Sequence, residues 1–321
     1  MSKILITGGA GYIGSILTQE LLAAGHSVRV LDCLLHSGEG LLGVWTHPHF
    51  EFLRGDVTNA ANRKAALKDV ESVVHLAAIV GDPACKKQPD LARAVNEEAS
   101  CRLIDEAGKS AKNFVFVSTC SNYGISDPAQ LASEESPLNP VSLYAETKVA
   151  VERYLLRSPA HGITSSVLRL ATVYGVSPRM RFDLTVNEFA RDAALNKKLV
   201  VYGELHWRPY VHVHDVVRAI VRLLETPEAV RRGQVFNVGR TQENYQKLTL
   251  CQLLQKRFPA LPVEYVKTGP DPRSYRVSFE KISKILGYET LHDVTGGLNE
   301  VIALVQKGTL INLDDPRWRN S

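Results

Sequence analysis

The 321 residues carry 38 lysines and arginines against 34 aspartates and glutamates, a net charge of +4, and are 45% apolar. That length suits one large domain or two closely joined ones, and that apolar share is enough for a sizeable core. The basic residues are scattered, with no run longer than pairs such as Arg231-Arg232, which argues against a nucleic-acid partner.

In chain order, short apolar runs alternate with helix-length amphipathic stretches, the pattern of a parallel sheet covered by helices on both faces. Strands are expected over Lys3–Thr7, 27–31, Phe50–Arg54, 72–76, 113–118 and 165–170, most of them nearly continuous in apolar character. Helices are expected between them at 12–24, 60–67, 91–108 and 144–157. After Gly175 the alternation weakens. Helices are read at 182–194 and 216–225, a short strand at Leu199–Tyr202, and a returning strand of the main sheet at Gln234–Val238. Short helices at 247–256, 279–286 and 294–306 complete a smaller region, and the polar tail 314–321 reads as loosely held. The expected fold class is α/β, a doubly wound parallel sheet of the Rossmann kind with a smaller, discontinuous C-terminal domain. The first domain spans 1–175, with 210–240 returning to it; 176–209 and 241–321 form the second.

Ile4-Leu5-Ile6-Thr7 runs directly into Gly8-Gly9-Ala10-Gly11-Tyr12-Ile13-Gly14 and then a helix. Gly8 permits a sharp turn, Gly11 lets backbone amides approach a pyrophosphate, and Gly14 lets the helix pack closely. The phosphates then meet the positive end of that helix, with Tyr12 and Ile13 in the same turn. Asp32 stands eighteen positions beyond Gly14, where a carboxylate accepts ribose hydroxyls and repels a 2′-phosphate, so NAD is the expected cofactor.

Tyr144 and Lys148 lie one helical turn apart, on one face. A free tyrosine, with a pKa of about 10, is a poor base at neutral pH. The nearby ammonium and a positively charged nicotinamide both favour its phenolate. With the glycine turn, Asp32 and the Ser118-Thr119 pair, this constellation resembles the extended short-chain dehydrogenase/reductase superfamily, whose members mostly modify nucleotide-activated sugars.

The resemblance covers most of the chain and implies further roles. Thr119, aligned through Tyr123-Gly124, becomes the hydroxyl that bonds the substrate oxygen, with Ser118 as the runner-up. Asp56, in Gly55-Asp56-Val57, would meet the adenine amino group. Leu76, Ala77 and Ala78 match a small-residue segment packed along the cofactor, and Asn96, where relatives carry a structural asparagine, is counted with the cofactor-binding residues. Arg208, within His206–Asp215, matches an arginine gripping the nucleotide diphosphate, and Arg273 resembles a second such ligand. Thr172 stands where many relatives have an asparagine touching the nucleotide sugar. Arg179, Arg181 and Trp207 are left open as substrate contacts.

Related 4,6-dehydratases place Asp-Glu directly after the threonine. Here those positions are Cys120 and Ser121, which removes the obvious acid and base for eliminating water. Cys120 itself reads better as a small buried hydrophobe than as an epimerising acid. The leading expectation is an NAD-dependent nucleotide-sugar epimerase, acting at C4 through a 4-keto intermediate. A reductase or dehydrogenase with net cofactor turnover, and a non-catalytic dinucleotide sensor, are the alternatives.

His212 and His214 are read as alternating in a strand beside Asp215, without the third ligand a metal needs. Five cysteines show no Cys-xx-Cys spacing, and no apolar run is long enough to span a membrane. The expected protein is cytoplasmic, and the regions 91–108 and 144–157 match the helices that pair in the superfamily's common homodimer.

Overall fold

The computed structural model describes residues 2–127, 129–157, 162–266 and 271–320. Its centre is a sheet of seven parallel strands. Their order is Gln234–Val238, Thr164–Leu170, Asn113–Thr119, Ser72–His75, Lys3–Thr7, Ser27–Asp32 and Phe50–Arg54. Each expected strand is present to within about one residue at either end, including the return of Gln234–Val238 beside Thr164–Leu170.

The two-residue period of the strands sorts their side chains between two cores. Ile4, Ile6, Val28 and Val30 face the helices Gly14–Ala23 and Val213–Glu225. Leu5, Leu31, Phe114 and Phe116 face Ser100–Ala107 and Leu143–Arg157. Because both faces are covered, neither set can be polar, which is why these strands read as nearly continuous apolar runs. A third core joins Phe182 to Phe189, Leu254, Leu298 and Ile302, the last four from helices beyond the sheet; the helix foreseen from 182 begins at Thr185.

The chain leaves the first strand toward one edge and, after Phe50–Arg54, returns to the strand on its other side. That reversal opens a crevice at the carboxyl ends of Lys3–Thr7 and Ser72–His75, the position at which such sheets receive ligands.

Three expectations change. The helix foreseen over 91–108 is in three parts, Pro89–Arg93, a wide π-helical turn Ala94–Ala99, and Ser100–Ala107. His212 ends the strand Trp207–His212 while His214 lies in the following helix, so the two do not alternate in one strand. The polar tail is not loose over its described residues. Trp318 is buried, its carbonyl accepts the Phe182 N–H at 2.8 Å, and its indole donates to Asn312 O at 3.0 Å. One apolar side chain is enough to seat an otherwise polar segment. Among the described residues no helix is long and apolar enough to cross a membrane.

Candidate functional site

A cavity of about 640 Å³ occupies the crevice and runs from the glycine turn to the outer helices. At its inner end Gly8 has φ +75°, a left-handed conformation that costs a glycine little. A Cβ on Gly14 would lie 2.3 Å from the Gly8 carbonyl oxygen, so the helix starts against the turn only because Gly14 has no side chain. Gly8, Gly11, Tyr12, Ile13 and Gly14 all line the cavity.

Asp32 closes this end. Its two carboxylate oxygens accept the Ala10 N–H at 3.0 Å and the Leu34 N–H at 2.8 Å, which ties the second strand to the glycine turn. Each oxygen keeps a second lone pair for a ribose hydroxyl. Burial raises the Asp32 pKa, and the two N–H groups and Arg179 oppose that rise. Asp56 and Val57 line the same end, with one Asp56 oxygen accepting Thr58 N–H and O–H at 2.7 and 2.8 Å. The glycine cradle, the helix end and Asp32 together fit NAD, with the diphosphate at the turn and a ribose at the carboxylate.

Leu76, Ala77 and Ala78 form the adjoining wall. Asn96 does not line the cavity. Its carboxamide accepts the Ile79 N–H at 2.7 Å and donates to Ile79 O at 3.0 Å, holding that wall from behind. This geometry gives Asn96 the part of a support for the wall. The wide turn Ala94–Ala99 carries this side chain toward Ile79.

Thr119, Tyr144 and Lys148 all line the cavity. Ser118 and Thr119 separate clearly. The Ser118 hydroxyl donates inward to Glu152, whereas Thr119 Oγ1 sits 2.8 Å from Ser121 Oγ. Lys148 is buried, donates to Val117 O at 2.9 Å, and lies 5.9 Å from the centre of the Tyr144 ring. Burial brings Lys148 down to about 8, opposed by Glu152. It also pushes the Tyr144 phenol well above its usual range, with Cys85 and Asp82 adding to the rise and Arg181 and Arg273 opposing it. The protein's own charges thus do not make Tyr144 a base at neutral pH. Cys120 is fully buried, its thiol directed at Arg169 O, and its pKa is raised by that burial.

At the outer end Arg208 and Arg273 converge, but on each other's neighbourhood and on one carboxylate. Asp271 accepts from Arg208 at 2.9 Å and from Arg273 at 2.7 and 2.8 Å. Arg273 also pairs with Asp82 at 2.7 Å, joining the segment around 271–277 to the start of the short helix Asp82–Lys87 that follows the strand Ser72–His75. The two guanidinium groups hold the Asp271 pKa far below the ordinary carboxylate range, against burial. Thr172 lines the cavity; Trp207 does not, and Arg276 lies 4.9 Å over its ring.

Several lining residues had no signal in the sequence reading. Asp82 and Asp271 are ordinary acids until the fold brings them to the arginines. Lys247, His36, Glu188, Arg319 and Asn320 also line the cavity, although nothing local to their positions marks them.

The model of the NAD dependent epimerase/dehydratase family matches residues 4–239. The chain belongs to that family. As a member it is an NAD-dependent enzyme of the short-chain dehydrogenase/reductase type. It is 28% identical over 328 residues to a UDP-glucose 4-epimerase of Lactobacillus helveticus, covering 95% of this chain and 96% of the relative. It is 31% identical to a dTDP-glucose 4,6-dehydratase of Streptomyces griseus, covering 95% and 94%. Among solved structures it resembles a UDP-glucuronic acid 4-epimerase of Bacillus cereus, in complex with UDP-glucuronic acid and NAD. The TM-score is 0.86 at 27% identity, covering 95% of this chain and 99% of that one.

Proposed function

We propose that this family member is a nucleotide-sugar epimerase acting at C4. The observation that carries the reading is one cavity in which Thr119, Tyr144 and Lys148 stand between a dinucleotide cradle and a pair of arginines. A nucleotide sugar bridges those two ends with its diphosphate near Arg208 and Arg273 and its sugar beside Tyr144. The planar forks of arginine suit that diphosphate, whose charge takes over the part now played by Asp271.

Bound NAD supplies a hydride acceptor, a hydride donor and a positive ring that offsets the burial of Tyr144. The chain's own residues handle the proton. Thr119 orients the sugar's C4 oxygen, and Tyr144 removes its hydroxyl proton and later returns it. Lys148, near its own titration point, assists that transfer. Water elimination has less support, because the two positions after Thr119 hold a buried thiol and a serine rather than a carboxylate pair. The resemblance of the helices Ser100–Ala107 and Leu143–Arg157 to the superfamily's dimer pair supports a homodimer, to be checked by light scattering.

The test is a panel of nucleotide sugars and their 4-keto forms, with products read by mass and NMR while NADH absorbance is followed. Epimerisation gives an isomer of unchanged mass and no net NADH. A product differing by two mass units, with matching cofactor turnover, makes the protein a reductase or dehydrogenase instead. A panel with no conversion, together with unaltered cellular function in Tyr144→Phe, favours the non-catalytic sensor.

A further inference from the structure

Arg179 is a buried cation that feels the carboxylates of Asp32 and Asp183 but forms an ion pair with neither. Its side chain is 3% exposed yet forms part of the cavity wall. One terminal nitrogen donates to the Arg319 carbonyl at 3.1 Å, and Nε is buried without an acceptor. The neighbouring Arg181 is already matched by Asp183 at 2.7 Å. Among the described residues no carboxylate forms an ion pair with Arg179. A guanidinium taken out of water with unmet N–H groups is unfavourable unless an anion meets it.

The position of Arg179 says which anion. A Cβ built on Gly40 would lie 3.5 Å from the Arg179 Cβ, 3.3 Å from the Ala10 carbonyl oxygen and 2.9 Å from the Ser15 Cβ. Arg179 therefore rises from the same corner as the glycine turn. Arg208 and Arg273, by contrast, belong to the outer end with Asp271. Burial and the nearby Arg181 bring Arg179 down to about 10, against the pull of Asp183 and Asp32, and it is still charged at neutral pH.

The segment that fixes Arg179 is itself held at both rims of the cavity. Trp318 is buried and accepts the Phe182 N–H, and the Asn320 N–H donates to Asp183 at 3.2 Å. On the other rim Arg317 meets Glu39 at 3.3 Å, in the short helix Glu39–Val44 beyond Asp32.

We propose that Arg179 is a second anchor for the dinucleotide's diphosphate, facing the glycine turn, and that residues 316–320 are the strap that holds it there. The helix end supplies amides from one side, and the arginine supplies full charge from the other. Such a strap slows cofactor release, which suits an enzyme that reuses one bound cofactor through many turnovers. The inference concerns cofactor retention and stands whichever sugar carbon is altered.

The test uses the full chain freed of bound nucleotide, with fold checked by circular dichroism. ADP-ribose and NADH are titrated into the wild type and Arg179→Gln, with UDP, UDP-glucose and UDP-glucuronate as the contrast set. The expected result is at least a tenfold weaker affinity for ADP-ribose and NADH, the loss of about one charge-assisted contact, with UDP unchanged. Unchanged ADP-ribose affinity overturns the proposal. So does a loss confined to UDP-glucuronate, because the anion is then a sugar carboxylate. Should Arg179→Gln not fold, Trp318→Leu is expected to speed NADH release at least about threefold by loosening the strap, and an unchanged rate overturns the proposal equally.

Discussion

Tyr144 and Lys148 illustrate how burial and charge compete at single residues. Burial raises one pKa and lowers the other to about 8, so the pair is poised only when further positive charge arrives. Replacing Tyr144 by Phe is expected to lower kcat by about 10²–10⁴-fold while leaving NADH affinity nearly unchanged, measured by steady-state kinetics and fluorescence titration. Lys148 has a stability consequence as well. Its native pKa lies below its unfolded value, so between about 8 and 10.4 the unfolded chain binds more protons and stability rises with pH. Below that window the cost of burying the ammonium is present in full. Lys148→Met is therefore expected to raise the melting temperature of the nucleotide-free protein at pH 7, by on the order of 2–4 °C, while reducing activity. The gain should shrink toward pH 10; a lowered melting temperature at pH 7 contradicts this.

At the scale of elements, the helix Leu143–Arg157 presents Tyr144, Lys148 and Glu152 at four-residue spacing. Glu152 anchors that stripe. It accepts from Ser118, from Asn122 at 2.8 Å and from Arg169 at 2.7 and 3.0 Å, so the helix is tied to the fifth and sixth strands of the sheet beneath the reaction centre. Both charged side chains are almost wholly inaccessible. Glu152→Ala leaves Arg169 buried and unpaired, and should cost about 3–5 kcal/mol in urea denaturation. The double change Glu152→Leu with Arg169→Met should cost clearly less, since no charge remains uncompensated. Equal losses in the single and double variants argue against this account of the network.

The strands, the glycine turn and the Tyr144–Lys148 spacing were legible because each is a local pattern with a short period. Gly14 needed only its place after Gly8 and Gly11, where a strand turns into a helix. Asn96, by contrast, works through Ile79, seventeen residues away. Asp271 draws its meaning from Arg208, 63 residues distant, and no local spacing encodes that pairing. Trp318 seats a segment that its polar neighbours made look free.

For the whole molecule, the cavity joins parts of the chain that are far apart in sequence, and Arg273 is one of its ties. Its bonds to Asp271 and Asp82 link the outer segment to the short helix Asp82–Lys87 beside the main sheet. Arg273→Ala is expected to raise KM for the nucleotide sugar by about tenfold or more, with NADH affinity held, because the cofactor end lies at the other side of the cavity. An equal loss of NADH affinity would place Arg273 in the cofactor site instead.

The most direct measurement of the central claim is the fate of a deuterium at C4 of the nucleotide sugar that the panel identifies as substrate. C4 epimerisation gives an isomer that keeps the deuterium at C4, with unchanged mass and no labelled NADH in solution. Deuterium lost to water, or recovered in free NADH beside an oxidised sugar, would contradict C4 epimerisation on a reused cofactor.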